Sequence, residues 1–336
     1  MKKIRFSALF LAIALCGCSA ASQKCERRSV YAMDTLMSLT AYGDHAQEAL
    51  DRAAERLSEL EQELSVTLPD SDIGRLNSSA GSPVEVSDDT VAILREALEI
   101  SAQTGGALDV TIYPVLREWG FTTGEYSVPD SEVLSELLEK VDYTQVRISE
   151  NKVFVPEGFA VDLGAAAKGY ASDCVAEIMR NSGVESSVLN LGGNVCLTGS
   201  KPDGSPWKVA VADPFGGEYL GTLSVSDCFV ITSGKYERYF TGEDSRRYHH
   251  IIDPATGYPS ENGLSAVTVL GYSGVECDAL STALLVLGED AASELWRERG
   301  GFEMLLVTDD RRLVATRGFA EKFQNSSEME LQVLEK

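Results

Sequence analysis

Apolar residues recur at the spacing of one helix face in six stretches of the chain. The clearest stretch follows Asp44, a helix-capping residue, where alanines and leucines recur from Ala46 to Leu64 between acids and arginines. The second stretch ends at Gly105 and Gly106, a typical helix stop. Each pattern predicts a helix with one buried face. The six predicted helices begin at or near Asp44, Ser87, Ser131, Ala166, Asp278 and Ala291.

Short apolar runs and alternating patterns predict strands, most of them in the second half of the chain. The predicted strands cover 30–42, 145–148, 152–155, 187–191, 207–212, 219–225, 229–232, 247–252, 266–270, 304–308 and 313–316. Strands and helices do not alternate regularly, which favours an α+β fold over a doubly wound sheet. Because no repeat or low-complexity linker divides the 336 residues, one compact unit is expected.

The first residues have the pattern of a lipoprotein signal peptide. Lys2, Lys3 and Arg5 precede a short apolar run over 6–15, and a small residue stands before Cys18. Cleavage after residue 17 would leave Cys18 to carry the lipid. The alternative is an ordinary secretory signal with an incidental cysteine. Either one places the mature protein outside the cytoplasm, and the first anchors it to the bacterial cell membrane by lipid alone.

These patterns divide the chain into four parts: a signal peptide over 1–17, a lipidated polar tether over 18–28, a catalytic unit over 29–325 and a polar tail over 326–336. The net charge is −23, which disfavours a nucleic-acid partner and repels anionic headgroups. Removing a basic signal peptide makes the charge more negative. The sequence allows a homodimer without requiring one.

Five cysteines remain after the tether cysteine is lipidated, an odd number without a CxxC pair. Several lie in runs that predict strands or a helix, so buried free thiols are favoured over disulfides. The five are Cys25, Cys174, Cys196, Cys228 and Cys277.

Asp278 and Thr282 are four residues apart at the start of a predicted helix, so both side chains face the same way. Two oxygen ligands of this kind suit Mg²⁺, which completes its coordination with phosphate and water oxygens. The alternative is structural: an acid that interacts with the helix dipole and a threonine that bonds back to the helix.

The small residues of VDLGAAAKGYA, at 161–171, allow a backbone to approach a ligand, and a helix then starts with Lys168 in its first turns. A helix start with a lysine is typical of a phosphate site, although the Walker sequence is absent. The alternative is a tightly packed turn with an exposed lysine.

His249 and His250 occupy successive positions of a predicted strand, so they should face opposite sides. One of them could act as a general base, whereas a structural histidine is the default. A zinc site is disfavoured because the chain has only three histidines. The segment 233–239 lacks a GxSxG motif, so a serine hydrolase is also disfavoured.

Taken in order, these motifs resemble those of the ApbE family, the FAD:protein FMN transferases. The resemblance covers nearly the whole mature chain. It rests on Met33-Asp34-Thr35, SVTLPDSDIGRLN, TGGALDVT, PVLREWGF, VDLGAAAKGYA, VLNLGGN, TSGKYERYF, HHIIDPATGYP and DALSTALLVLG.

The resemblance implies a T-fold-like unit of largely antiparallel strands with flanking helices. It also implies an enzyme that binds FAD with Mg²⁺, moves the FMN phosphoryl group to a Thr or Ser hydroxyl of a target flavoprotein, and releases AMP. His250 would be the general base, with Asp278 and Lys168 as further catalytic residues. The metal ligands would be Asp278, Thr282 and the backbone carbonyl of Ala165. The residues that contact FAD would be Met33, Thr67, Ala107, Leu108, Asp109, Asp162, Lys168, Ile252 and Ser281.

Two positions depart from the family pattern. Asp34 stands where a glycine is usual, and Thr67 stands where many members have an aromatic residue that covers a ring of FAD. A site without that ring is open to water. Two further activities are therefore compatible with the sequence: a Mg²⁺-dependent FAD pyrophosphatase that yields FMN and AMP, and a flavin-binding lipoprotein without turnover.

Overall fold

The computed structural model describes residues 24–336. The predicted signal peptide and Cys18 lie outside this range. The helices are α1 Ala46–Leu64, α2 Asp72–Asn77, α3 Asp88–Gln103, α4 Tyr113–Glu118, α5 Ser131–Leu138, α6 Ala167–Asn181, α7 Gly274–Arg299 and α8 Arg317–Ala320. The strands of the first half are β1 Cys25–Ala32, β2 Thr35–Tyr42, β3 Val84–Glu85, β4 Arg147–Ser149 and β5 Lys152–Phe154.

The strands of the second half are β6 Ser186–Leu191, β7 Asn194–Thr198, β8 Trp207–Ala212, β9 Tyr219–Val225, β10 Phe229–Gly234, β11 Tyr239–Thr241, β12 Arg247–His249, β13 Leu264–Gly271, β14 Glu303–Thr308, β15 Leu313–Thr316, β16 Phe323–Asn325 and β17 Leu331–Leu334. Every predicted strand region contains an observed strand. The short strands β3, β7, β11, β16 and β17 were not predicted because runs of two to five residues carry little periodic signal.

A nine-stranded sheet organises the molecule, in the order β1-β2-β6-β7-β10-β13-β14-β15-β17. All its pairs are antiparallel except β15 with β17. Helices α1, α3, α6 and α7 pack against one face and form the largest apolar core. A three-stranded sheet, β16-β9-β8, covers the other face from β7 to β15. The prediction of one α+β unit with largely antiparallel strands is confirmed.

The predicted strand over 30–42 is a hairpin whose turn is made by Met33 and Asp34, both with positive φ. Two consecutive positive φ values are typical of the turn that matches strand twist in a two-residue hairpin. Aspartate tolerates this left-handed conformation better than most residues do, which explains how Asp34 replaces a glycine there. Met33 has no such tolerance, so the turn holds it in strained backbone geometry.

The predicted ends of the unit need correction. The tether was predicted to reach residue 28, but β1 begins at Cys25 and pairs with β2 along its whole length. Residues 326–336 were predicted to form a polar tail. Instead, β17 pairs with β15, and Leu334 enters the main core. Sequence polarity misleads at both ends because an edge strand buries only alternate residues.

The predicted break between the last two helices is present within α7, where Gly288 has non-helical angles with φ 81°. All five cysteines of residues 24–336 are free, and of these Cys196, Cys228 and Cys277 are buried as expected, whereas Cys174 is half-buried and Cys25 is exposed. Within that same range, no helix combines the length and apolarity needed to cross a membrane.

Candidate active site

A cleft of about 3670 Å³ runs between the nine-stranded sheet, the loop segments before α6 and the segment from β10 to β12. It brings together residues that lie far apart in the sequence. The predicted site residues that line it are Met33, Thr67, Ala107, Leu108, Asp109, Asp162, Ala165, Lys168, His250, Ile252, Asp278 and Thr282. Of the predicted site residues within 24–336, Ser281 alone does not line it.

The starts of α6 and α7 cross at two glycines. A methyl group on Gly169 would lie 2.6 Å from Cβ of Asp278 and closer still to the carbonyl oxygen of Gly274. The absence of side chains therefore lets the two backbones touch. The Gly169 N–H donates a hydrogen bond of 2.8 Å to Oδ2 of Asp278. This contact fixes Asp278 at the start of α6.

Asp278 is a buried acid, with 3% of its surface exposed. Burial raises its pKa, opposed by Lys168, by the Gly169 N–H and by the Asn194 amide. Nζ of Lys168 lies 4.0 Å from Oδ2, which is an ion pair but not a hydrogen bond. A buried carboxylate with only one nearby cation is a group that gains from a further positive charge.

Ala165 precedes the N-cap of α6, and no hydrogen bond among the described residues ends on its carbonyl oxygen. The N–H of Gly169, one of the helix-start groups without a partner inside the helix, donates to Asp278. Thr282, one turn after Asp278, has its hydroxyl 3.2 Å from Oγ of Ser233. A carboxylate, a hydroxyl and a carbonyl are the hard oxygen donors that Mg²⁺ prefers, so these residues fit that ion.

Across residues 24–336, no group of three or more His, Cys, Asp or Glu side chains is arranged to hold a metal ion. The oxygen set around Asp278 contains only one acid, so it differs from a metal site built wholly from protein side chains. An ion held there would take its remaining ligands from substrate phosphates and water, which is typical of Mg²⁺.

The two histidines face opposite sides, as predicted. His249 is buried, and its Nε2 lies 3.0 Å from the Ser260 carbonyl oxygen. Burial lowers its pKa to about 4. His250 lines the cleft, and its Nδ1 lies 3.1 Å from the Arg238 carbonyl oxygen. Because a carbonyl only accepts, Nδ1 carries the proton and Nε2 is left as a free base.

Burial, followed by the Arg238 cation, lowers the pKa of His250 to about 3. The imidazole is therefore neutral at physiological pH and able to accept a proton. The Phe121 ring lies at its edge, with 6.3 Å between the ring centroids. The Arg238 guanidinium donates a hydrogen bond of 2.9 Å to the Phe121 carbonyl oxygen. Arg238 therefore contacts both His250 and the segment that carries Phe121.

Three residues of the cleft were missed by sequence reasoning: Asn194, Glu237 and Arg238. Glu237 is exposed and opens onto the cleft, and desolvation by the cleft walls raises its pKa to about 7. Asn194 is 2% exposed, and its amide nitrogen makes no well-formed hydrogen bond. An Asn beside Gly192 and Gly193 was a turn signal in the sequence, which concealed its position next to Asp278.

Asp109 lies at the cleft, but both oxygens of its carboxylate already accept hydrogen bonds from the protein. Oδ1 accepts from the backbone N–H and the hydroxyl of Thr111, and Oδ2 accepts from the Tyr143 N–H over 2.9 Å. The side chain therefore holds the loop that carries Ala107 and Leu108. Asp162 accepts from the Gly164 N–H over 2.8 Å, and burial raises its pKa.

Ser281 corrects a prediction, because the structure buries it fully behind the cleft wall. Its hydroxyl lies 2.7 Å from Oγ of Ser233 and 2.9 Å from the Asp278 carbonyl oxygen. Ser281 and Thr282 are consecutive in α7, about 100° apart around the helix axis, so the two side chains point in different directions. Ser281 thus supports Ser233 from behind rather than reaching a ligand.

The remaining predicted contacts lie at the cleft rim. Thr67 is exposed, and its hydroxyl lies 3.0 Å from Oγ of Ser65. The Met33 N–H donates to Oε1 of Glu61 over 2.9 Å, which attaches the hairpin turn to α1. Ile252 is buried in the aromatic cluster around Trp119. The rim at Thr67 therefore offers no ring face.

The α+β fold and its large cleft, with a buried acid and a free imidazole nitrogen, are those of a transferase enzyme. A model of the ApbE family matches residues 33–306, so the chain belongs to the ApbE family.

Relatives and solved structures agree with this assignment. The chain is 34% identical to a FAD:protein FMN transferase of Treponema pallidum, over 82% of this chain and 81% of that protein. It is also 34% identical to one from Vibrio cholerae, over 79% and 80%. The fold is similar to an ApbE protein of Thermotoga maritima, with TM-score 0.84, 29% identity and coverage of 90% and 100%. It is similar to the flavin transferase ApbE of Vibrio cholerae with TM-score 0.81, 29% identity and coverage of 89% and 99%.

Proposed function

We propose that this protein is a Mg²⁺-dependent FAD:protein FMN transferase. It moves the FMN phosphoryl group of FAD to a Thr or Ser hydroxyl of an extracytoplasmic flavoprotein and releases AMP. The convergence of Lys168, His250 and Asp278 on one cleft carries the proposal. The relatives that share this chain's length are FAD:protein FMN transferases, which supports the same substrate.

The phosphoryl transfer requires neither an oxidant nor a reductant. The acceptor hydroxyl oxygen forms a bond to the phosphorus on the FMN side of the pyrophosphate. The bond from that phosphorus to the bridging oxygen breaks, and its electron pair leaves with AMP. Nε2 of His250 takes the hydroxyl proton, since Nδ1 is held by the Arg238 carbonyl.

Charge stabilisation is the main demand of phosphoryl transfer. Lys168 provides a positive charge at the start of α6, where backbone N–H groups also point outward. Asp278, Thr282 and the Ala165 carbonyl would hold the magnesium ion, which when bound neutralises charge on the phosphate oxygens. The low pKa of His250 makes it a weak base, so positioning contributes more than proton affinity does.

Hydrolysis is the second candidate, and the exposed rim at Thr67 favours it. Without a ring at that position, water reaches the ligand more easily, and attack by water on the same phosphorus yields FMN and AMP. A flavin-binding lipoprotein without turnover is the third candidate. The proposed location is the outer face of the cell membrane, through a lipid on Cys18, and this rests on the sequence pattern of residues 1–18.

One experiment separates the three activities. Mature protein is incubated with FAD and Mg²⁺, with and without an unflavinylated acceptor domain, and the products are read by mass spectrometry. Covalent FMN on the acceptor is the expected result. Free FMN alone supports hydrolysis, and unchanged FAD supports binding only.

The matched variant for this experiment is Asp278→Ala, which removes the only acid of the proposed metal site. We expect loss of turnover that added Mg²⁺ does not restore. Asp203→Ala, in an exposed loop outside the cleft, is the control and should keep the wild-type rate. Wild-type turnover in Asp278→Ala contradicts the assignment of this site.

A further inference from the structure

The outer face of β1, β2 and β6 is open to the cleft near the hairpin turn, whereas Tyr42 and Val188, farther from the turn, pack against the core beneath the three-stranded sheet. Tyr31 and Leu36 are paired across the hairpin on this face and are 69% and 49% exposed. Ser29, Ser38 and Asn190 continue it in register. We call this face, together with Lys208 and Ala210 of β8, the hairpin groove, and all its residues line the cleft.

The cleft is larger than one dinucleotide needs. Pockets for single small molecules are about 300–1000 Å³, whereas this cleft is about 3670 Å³. Lys168, Asp278 and His250 line this cleft together with the hairpin groove. A group transfer to a protein requires a second, much larger substrate at the same reacting phosphorus. The unused part of the cleft is the space through which that substrate can reach it.

The charges of the groove differ from those of the rest of the molecule. Lys24 and Arg28, also on or beside β1, pair with Glu26 and Asp51. Arg27 and Lys208 line the cleft and form no ion pair within residues 24–336. In a chain of net charge −23, two unpaired cations in one groove are suited to a partner that carries carboxylates.

We propose that the hairpin groove binds the polypeptide segment that carries the acceptor hydroxyl. This inference rests on the proposed function and identifies the surface that recognises the protein substrate. The segment is extended, places an apolar side chain against Tyr31 and Leu36, and places an acid near Arg27 or Lys208. Its hydroxyl then reaches the reacting part of the cleft past the turn of Met33.

The first test removes the apolar pair with the double substitution Tyr31→Ser, Leu36→Ser. The probe is a purified, unflavinylated Thr-bearing acceptor domain of an extracytoplasmic flavoprotein. We expect KM for this domain to rise at least about tenfold, the effect of losing one strong contact. The Kd for FAD should stay within about twofold. Tyr272→Ser is the control, because Tyr272 is 80% exposed and lies outside the cleft.

The second test reverses the charges with Arg27→Glu, Lys208→Glu, and its control is Lys152→Glu on an exposed strand outside the cleft. We expect weaker acceptor binding and a smaller dependence of that binding on salt. Binding is measured by interferometry with the acceptor Thr→Ala, so that it does not depend on turnover. If both double variants keep the wild-type affinity and KM for the acceptor, the proposal that the hairpin groove binds the acceptor is overturned.

The two proposals fail in different ways. If wild-type protein leaves the acceptor without FMN, the transferase proposal fails, and the binding measurement still decides whether the groove holds the acceptor. If wild-type protein transfers FMN and the variants match it, the groove proposal alone fails. Thermal unfolding of each variant shows that the fold is intact, which is expected because all four substituted side chains are exposed or at the cleft surface.

Discussion

At the scale of single residues, the hydrogen bonds around two adjacent histidines separate their roles. Both imidazoles are neutral at physiological pH because burial lowers their pKa values. Nε2 of His249 is hydrogen-bonded to the Ser260 carbonyl oxygen, whereas Nδ1 of His250 is hydrogen-bonded to the Arg238 carbonyl oxygen. Only His250 therefore keeps a free nitrogen on the cleft side. The sequence predicted opposite faces, but the tautomer depends on backbone partners from another strand.

Replacing His250 by alanine should lower the FMN transfer rate by about 10²-fold or more, the usual contribution of a general base. FAD affinity should change by less than about threefold. Single-turnover transfer and fluorescence titration with FAD measure the two quantities. His249→Ala should still transfer FMN. Selective loss of transfer in that variant would show that His249, and not His250, is the general base.

The buried His249 should make stability depend on pH. Its pKa is about 4 in the fold and about 6.5 in the unfolded chain. Between those values the unfolded chain binds a proton that the fold does not, so stability present above pH 6.5 is lost as the pH falls toward 4. The loss is about 3 kcal/mol at most.

His249→Gln should remove this part of the pH dependence, because glutamine does not titrate. Urea unfolding of wild type and variant between pH 4 and 7 measures it as a difference, in which the common contribution of the carboxylates cancels. His45→Gln, at an exposed histidine, is the control. Identical pH profiles for wild type and His249→Gln would contradict the prediction.

At the scale of elements, the crossing of α6 and α7 positions the metal and phosphate residues together. The sequence predicted a turn of small residues before α6 and a helix around Asp278. It did not reveal that the two helix starts touch through Gly169 and Gly274, because a glycine has many uses and its neighbour is known only from the fold. At this contact the Gly169 N–H, which has no partner within α6, donates to Asp278.

Gly169→Ala should destabilise the protein by about 3 kcal/mol or more, since the methyl group would overlap backbone atoms that cannot move alone. Gly204→Ala is the control. Its methyl group meets nothing within 4 Å, so its cost is that of positive φ, about 1 kcal/mol. Chemical unfolding measures both. Equal costs would show that the helix crossing adjusts freely.

The last strand should also contribute to stability. Leu334 is 7% exposed and enters the main core, whereas its neighbour Val333 is 41% exposed. Leu334→Ala should cost about 2 kcal/mol or more, and Val333→Ala less than about 0.5 kcal/mol. Denaturant midpoints compare the two. A negligible effect of Leu334→Ala would restore the sequence-based description of residues 326–336 as a tail.

At the scale of the whole molecule, the two faces of the nine-stranded sheet have different roles. One face holds the main core under α1, α3, α6 and α7, and the other face carries the second sheet and the open groove. The cleft forms where these layers end. Its residues come from the first hairpin, the α6 turn, the β10–β12 segment and α7, which no local pattern connects.

The exposure of the free cysteines differs according to their positions in these layers. Cys25 is exposed at the start of β1, Cys174 is half-buried, and Cys196, Cys228 and Cys277 are buried. A thiol reagent should label Cys25 at once and the three buried thiols only on unfolding, because burial also raises the pKa of the Cys196 and Cys228 thiols. Peptide mapping measures the order. Rapid native labelling of Cys277 would contradict the packing of α7 against the sheet.

The sequence by itself determined the α+β class, most helices and strands, and the family, because periodicity and motif order are local properties of the chain. It also predicted Lys168, His250 and Asp278, which lie at one cleft in the structure. Only the tertiary structure decided that Ser281 faces away, that Asp109 holds a loop, and that Glu237, Arg238 and Asn194 join the cleft. The reason is physical: burial, side-chain direction and hydrogen-bond partners are set by elements that meet only in the folded molecule.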